Sequence, residues 1–352
     1  MKYSFIVPVY NRPDEVDELL ESLCSQTVKD FEVIIVEDGS KNPCKDVCDK
    51  YADILDLHYY YKDNSGPGQS RNYGVECASG EYVIILDSDV VVPKGYLEAI
   101  ENEIETLGKQ GNHNSQFSIL NSQLVAWGGP DAAHPSFTPV QKAISYSMTS
   151  FFTTGGIRGG KAKLDKFYPR SFNMGIRRDV YQQLGGFSKM RFGEDIDFSY
   201  RIVEAGYQPR LFPDAWVWHK RRTDFRKFFR QVYNSGIARI NLEKRHPGTL
   251  KLVHLLPMVF TVGVIGLVAC CLLALCCWPC VSWVFLLPIV LYALLIFIDS
   301  SLRNKSLWVG LLSIPAAFVQ LMGYGLGFIE SWWKRCVLKK DEFTAFEKNF
   351  YK

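Results

Sequence analysis

No Asp, Glu, Lys or Arg occurs in the 47 residues from Leu252 to Ile298, and none in the 24 from Ser306 to Ile329. Runs of that length exclude a chain that is water-soluble throughout, because about 18 apolar residues in a helix already cross a bilayer core of roughly 30 Å. The pattern predicts a membrane domain over 252–330 with three hydrophobic segments, 253–277, 278–298 and 307–329, the first two parted at Trp278-Pro279. A secretory leader is not expected either. The apolar run 3–10 breaks at once on Asn11-Arg12-Pro13-Asp14-Glu15, so the first 220 residues are expected in the cytoplasm and the chain in the inner or plasma membrane as a multi-pass protein.

The chain-wide positive charge of a nucleic-acid binder is also missing. Residues 1–219 hold 22 basic and 30 acidic side chains, whereas 220–251 hold 10 basic and 2 acidic, so the formal net charge of +3 is a cancellation. The basic collar, with Phe225, Phe228, Phe229, Val232 and Ile240 among Arg and Lys, predicts an amphipathic segment over 223–251 lying on an anionic membrane surface, and 331–352 reads as a basic tail. A zinc site is not completed either. Cys44 and Cys48 have no second pair or His cluster near them, and five of the ten cysteines (270, 271, 276, 277 and 280) sit in or between the apolar segments, so free thiols are expected.

What residues 1–222 do contain is an alternation of strands and helices. Strands are predicted at 3–9, 31–37, 55–61 and 81–86, with helices at 15–25, 43–51 and 67–78 between them, the last with Pro67 in its first turn. Near-continuous apolar strands between helices imply a mostly parallel, Rossmann-like α/β sheet covered on both faces. Such sheets bind ligands beyond the carboxyl ends of their strands, which singles out Val9-Tyr10-Asn11, Asp38-Gly39-Ser40 and Asp87-Ser88-Asp89. Beyond about residue 108 the pattern loosens into Gly- and polar-rich stretches at 108–116, 128–138 and 153–166, followed by a helix at 194–205.

Two acidic groups carry chemistry. Asp87 and Asp89 stand at a strand end with one residue between them, so both carboxylates point to one side and suit Mg²⁺ or Mn²⁺ held against a diphosphate. Glu194, Asp195 and Asp197 open a helix behind Gly193. Helix capping accounts for one carboxylate there; three in four residues read as an active-site wall.

Val7-Pro8-Val9-Tyr10-Asn11, Val36-Glu37-Asp38-Gly39-Ser40, Gly66-Pro67-Gly68-Gln69-Ser70-Arg71-Asn72-Tyr73-Gly74, Leu86-Asp87-Ser88-Asp89 and Gly193-Glu194-Asp195-Ile196-Asp197 resemble the motifs of family 2 glycosyltransferases in order and spacing, over about residues 1–220. The resemblance implies a GT-A fold, a nucleotide-diphosphate sugar as donor with a UDP-sugar the expected form, a divalent metal (Mg²⁺ or Mn²⁺), and inversion at the anomeric carbon. It puts Pro8, Val9 and Tyr10 beside the base, Asp38 and Arg71 at the base's polar edge, and Asp87 near the ribose, with Ser88 in the same donor-binding stretch. It puts Asp89 on the metal with Asp87 alongside, His219 as a later metal ligand, and Asp195 as catalytic base next to Glu194. The segment around Arg230-Gln231 and His246-Pro247, ahead of the apolar run, resembles the membrane-bound branch that acts in exopolysaccharide assembly, such as succinoglycan-type transferases.

Departures limit the reading. The Gln-x-x-Arg-Trp motif of processive synthases is absent, since Gln231 is followed by Val232-Tyr233-Asn234-Ser235, so one sugar is expected to move to a lipid-linked or saccharide acceptor. Gly155–Gly160 lacks the Lys-Ser/Thr of a phosphate loop and reads as a mobile acceptor-side loop, with Lys161, Lys163, Lys166, Arg170, Arg177 and Arg178 able to meet an acceptor phosphate. A polyprenyl-phosphate sugar synthase is the alternative enzyme. A non-catalytic scaffold or transporter subunit is the alternative of another class, opposed by the intact Asp38, Asp87, Asp89, Glu194 and Asp195. Three spans would place Lys334, Arg335, Lys339 and Lys340 on the far side, against the positive-inside tendency, so the third segment, with Pro315 and its glycines, spans, re-enters or lies at the interface.

Overall fold

In the computed structural model, described here for residues 1–111, 124–134, 136–155, 167–220 and 222–346, the chain divides into two compact units. One comprises Met1–His134 and Leu164–Lys220; the other comprises Pro135–Lys163 and Arg221–Lys352.

The first unit is built on a seven-stranded sheet. Its strands β1 (Tyr3–Val9), β2 (Phe31–Asp38), β3 (Leu57–Lys62), β4 (Tyr82–Leu86), β6 (Ala126–Gly128), β8 (Asn173–Arg177) and β9 (Arg210–Leu211) lie in the order β3-β2-β1-β4-β8-β6-β9. The β3-β2-β1-β4 half is parallel, as alternating strands and helices require. β8 enters antiparallel to both β4 and β6. Alternation along β1 feeds two cores: Tyr3, Phe5, Val7 and Val9 face the helix Pro13–Cys24, while Ile6 joins Val75, Phe187 and Phe198 on the other face. The helix Pro67–Cys77 sits hard against this second face because Gly74 has no side chain; a Cβ there would lie 2.6 Å from Ile6 Cγ2. A small second sheet, β5 (Val90–Val91), β10 (Val217–His219) and β7 (Asp131–Ala132), stands in the order β5-β10-β7. It pairs His219 with Val90, one residue beyond Asp89.

The sequence order shows where this sheet changes direction. From β1 the chain moves outward to β2 and β3, then returns to place β4 on the other side of β1, so the switch point lies between the carboxyl ends of β1 and β4.

The second unit is helical. Pro139–Thr149, which the sequence pattern left irregular, is a helix whose N-terminus is closed by a reciprocal Thr138/Gln141 capping box. It groups with the later helices through Ala143, Ile144 and Met148, although it precedes the 222 boundary that composition suggests. Phe225–Arg245 is a single amphipathic helix capped by Asp224, which accepts the Lys227 N–H at 2.7 Å. Three long apolar helices follow, Leu256–Cys277, Leu287–Asn304 and Leu307–Trp332. Trp278-Pro279 ends the first as expected. Pro315 and the glycines of the third do not interrupt it.

Candidate functional site

Three strand ends converge on the switch point, and short polar locks shape them. Asn11 turns the chain after β1 with φ +54°, and its Oδ1 accepts the N–H groups of Lys41 and Asn42 at 2.8 and 3.0 Å. The Asn11 N–H donates to Ser40 Oγ at 2.7 Å, and the Ser40 hydroxyl donates to the fully buried Glu37 carboxylate. Asp38, beside Gly39 at φ +73°, uses both oxygens to pin the turn that opens the 67–77 helix. Its Oδ1 accepts Lys62 Nζ and the Ser65 N–H, each at 2.8 Å, and Oδ2 accepts the Gly66 N–H at 2.9 Å. Pro8 pairs with Val36 across β1 and β2 and is half-buried, Val9 is buried, and Tyr10 is half-buried at the strand end.

Asp87, Ser88 and Asp89 follow β4, and His219 reaches the same place from β10. His219 Nε2 stands 3.2 Å from Asp89 Oδ1 and 3.9 Å from Asp87 Oδ2, and one ligand atom from each of the three residues lies within 4.8 Å of the others. The imidazole is held by stacking on Phe172, with centroids 5.0 Å apart and planes 26° from parallel. Its Nδ1 has no hydrogen-bond partner among the described residues and faces Asp131 Oδ2 at 3.9 Å. Two carboxylates and an imidazole converging on one point form a donor set that fits Mg²⁺ or, with its nitrogen ligand, Mn²⁺. A second such group, Glu32, Asp56 and His58, lies at the amino-terminal end of the strands. There Glu32 Oε1 accepts from Ser4, Ser79 and Gly80, so its carboxylate ties the starts of β1 and β2 to the turn before β4.

The second acidic group opens the helix Glu194–Glu204 after Gly193. Arg71, buried on the 67–77 helix, links it to the first: Nη2 donates to Asp87 Oδ1 at 2.7 Å and Nη1 to Glu194 Oε1 at 3.0 Å. Asp195 Oδ2 accepts Arg170 Nε at 2.6 Å, while Asp195 Oδ1 takes the Ile196 N–H at 2.9 Å. Asp197 turns to Arg201 one helical turn on, so it braces the helix. Burial, reinforced by the neighbouring Asp195 charge, pushes the Glu194 carboxyl up to about 7. Burial acts on Asp195 in the same sense, but Arg170 and then Arg71 outweigh it and hold that carboxyl below the usual aspartate range.

Arg12 and Arg170 complete the site. Arg12 Nη1 donates to Asp89 Oδ2 at 3.0 Å and to Glu15 Oε2 at 2.9 Å; its position just past the β1 motif was the one available signal. Arg170, expected to meet an acceptor phosphate, is instead the partner of Asp195. Arg177 and Arg178 do not reach the site. The antiparallel entry of β8 pairs Arg177 with Tyr82 at the far end of β4, where Arg177 binds Asp179 and Arg178 donates to Ala78 O at 2.9 Å. Gly156–Gly160, Lys161, Lys163 and Lys166 lie outside the described residues.

Comparison with known proteins identifies the family and the fold. The model of glycosyl transferase family 2 matches residues 4–185, more than half of the chain, and that of glycosyl transferase family group 2 matches 171–297. The chain is 28% identical over 257 residues to the pre-mycofactocin glycosyltransferase of Mycobacterium tuberculosis, covering 69% of this chain and 47% of that protein, so it spans about half that relative's length. It is 31% identical over 234 residues to glycosyltransferase GlyG of Streptococcus pneumoniae, covering 57% of this chain and 77% of that one. Among solved structures, the mannosyltransferase PcManGT from Pyrobaculum calidifontis, determined in complex with GDP-Man and Mn²⁺, superposes with a TM-score of 0.62 at 16% identity, over 95% of this chain and 88% of that one. The shared architecture is GT-A, and the chain belongs to glycosyl transferase family 2.

Proposed function

We propose that the protein is a metal-dependent, inverting glycosyltransferase that moves one sugar from a nucleotide-diphosphate sugar to a lipid-linked or saccharide acceptor at the cytoplasmic face of the membrane. The observation that carries this is the meeting of Asp87, Asp89 and His219 at the β1/β4 switch point, linked by Arg71 to the Glu194/Asp195 pair. The fold neighbour PcManGT holds GDP-Man with Mn²⁺, which supports a donor of this class.

In this reading Asp87, Asp89 and His219 hold the divalent ion, and the ion when bound offsets the charge that grows on the departing diphosphate. Asp195 takes the proton from the acceptor hydroxyl as its oxygen bonds to the anomeric carbon and the carbon–phosphate-oxygen bond breaks on the opposite face. Its lowered pKa keeps it ionised at neutral pH. Arg170 fixes the carboxylate's orientation through Oδ2. Arg71 keeps the two acidic groups in register and offsets their repulsion. Pro8, Val9 and Tyr10 line the base-binding end with Ser88, and Asp38 shapes that end through the 63–66 turn.

Membranes carrying the protein, supplied with nucleotide sugars, native lipid extract and Mn²⁺ or Mg²⁺, are expected to release nucleoside diphosphate as a glycosylated product forms. Asp195→Asn is expected to abolish turnover while leaving donor binding intact. Full turnover by that variant would remove Asp195 from the role of base.

A further inference from the structure

Three helices are apolar and long enough to cross a membrane, but the third keeps different company. In their most apolar windows Leu252–Cys276 and Ser282–Asn304 are 11% buried within the protein, as expected of helices facing lipid, whereas Leu307–Val337 is 44% buried.

The hairpin helices meet it near Pro257–Thr261 and Phe297–Ser301, and the other elements that bury it belong to the water side. Four residues separate Lys220 from Phe225. The five Cα-to-Cα steps, at about 3.4 Å each, reach about 17 Å, well short of the roughly 30 Å of a bilayer core. The 225–245 helix therefore lies on the same side of the membrane as the first unit. It carries Arg226, Lys227, Arg230, Arg239, Lys244 and Arg245, and a charge at the bilayer centre costs about 2.5–3.5 kcal/mol on insertion scales. The same reasoning holds the 139–149 helix, with Lys142, close to the surface.

These two helices roof the 307–332 helix along nearly its whole length. Ala143 packs with Val309 and Ala316, Tyr146 with Ala317, and Ile144 and Met148 with Val319. Val232 and Phe229 then lie over Gly323, Tyr233 over Gly327 and Gly236 over Tyr324, and Ser331 Oγ donates to Ile237 O at 3.2 Å. The contacts advance together in both sequences, so the two helices run side by side in the same direction. A crossing by the 307–332 helix would carry the basic helix into the hydrocarbon with it.

The tail confirms the direction of return. After the π-turn Trp333–Val337 the chain runs back along the basic helix: Arg245 pairs with Glu342 at 2.8 Å, Asn241 Nδ2 donates to Phe343 O at 3.4 Å, and Arg230 covers the Phe346 ring. The fully buried Asn234 clamps Ala345 through both backbone groups, at 3.1 and 2.9 Å. Asp299 and Arg303, near the end of the 287–304 helix, also come back to this side, where Asp299 accepts the Tyr146 hydroxyl at 2.7 Å.

We infer that the chain crosses the membrane twice, as the hairpin 256–277 and 282–304, and that Leu307–Trp332 lies in the lipid interface on the side of the first unit, with the tail strapped along the 225–245 helix. The partner of its open face, formed by Leu307, Trp308 and Leu311, is the headgroup and acyl boundary of a bilayer. Lys334, Arg335, Lys339 and Lys340 then fall on the side that the positive-inside tendency requires. The inference rests on membrane anchorage and not on the proposed transfer reaction.

Two full-length variants, one retaining only Cys336 and one only Cys280 of the hairpin turn, both exposed positions, separate the topologies in sealed vesicles of known orientation. A membrane-impermeant maleimide is expected to label Cys336 from the side of the first unit and Cys280 from the opposite side, with both labelled after detergent. Labelling of the two from the same side of the intact vesicle would overturn the inference, and neither outcome depends on whether the protein turns over a donor.

Discussion

Arg71 and Arg170 decide how the acidic residues of the site behave. Without Arg71, Asp87 and Glu194 would face one another as buried or half-buried carboxylates; with it, they share one guanidinium. Arg170 does the corresponding work for Asp195, and the sign of its effect is testable. Burial alone raises a carboxyl pKa, and Arg170 is what brings Asp195 below its ordinary value. Arg170→Gln is therefore expected to raise the pKa of Asp195, the proposed base, so that a larger fraction is protonated at a given acidic pH. The acid limb of the kcat/KM profile should move to higher pH, with activity recovered as the pH rises. An unmoved limb would separate Arg170 from the base. The acidic residues themselves were legible, because two carboxylates one residue apart at a strand end, and three in the first turn of one helix, exceed what a single cap accounts for. Their arginine partners were not, because each pairing joins residues that are distant in sequence. Nothing local distinguishes Arg170, which binds Asp195, from Arg177, which the antiparallel course of β8 carries to the other end of β4.

At the scale of elements, the strands and helices up to Leu86 follow period and turn chemistry closely, since burial on both faces of a parallel sheet leaves β1 and β4 near-continuously apolar. The later strands β6, β8, β9 and β10 have two to five residues each, too short to show a period, and were found only by their partners. The 139–149 helix was signalled by Thr138-Pro139-x-Gln141 but masked by surrounding polar residues. In the second unit, Gly325 and Gly327 of the third apolar segment prove to be seats for the Pro257 and Tyr233 backbones, and Gly236 on the basic helix is another such seat. A Cβ on Gly236 would come within 2.1 Å of the Tyr324 carbonyl oxygen, whereas one on Gly266 would meet nothing within 4 Å. Gly236→Ala is therefore expected to destabilise the second unit by about 1–3 kcal/mol, the usual range for overpacking, and Gly266→Ala to be neutral or slightly stabilising. Thermal unfolding in detergent reads the difference, and equal midpoints for the two variants would argue against the close helix pairing.

For the whole molecule, a near-neutral charge resolves into an acidic GT-A unit, a basic helix and a group of long apolar helices. The second unit is held together by helix pairs that composition could not reveal, because hydropathy scores 307–332 by its side chains and not by the basic helix that covers it. The first unit presents its candidate metal donor set at a switch point that the order of strands made foreseeable. Calorimetric titration of the purified full chain with a nucleoside diphosphate, with and without Mn²⁺, tests the central claim that Asp87, Asp89 and His219 form a metal-dependent donor site. The account predicts that binding is strong only with the metal present, and that Asp89→Ala and His219→Ala abolish the metal's contribution while the fold is retained. Binding by the native protein that is unchanged after complete chelation of divalent ions would contradict it.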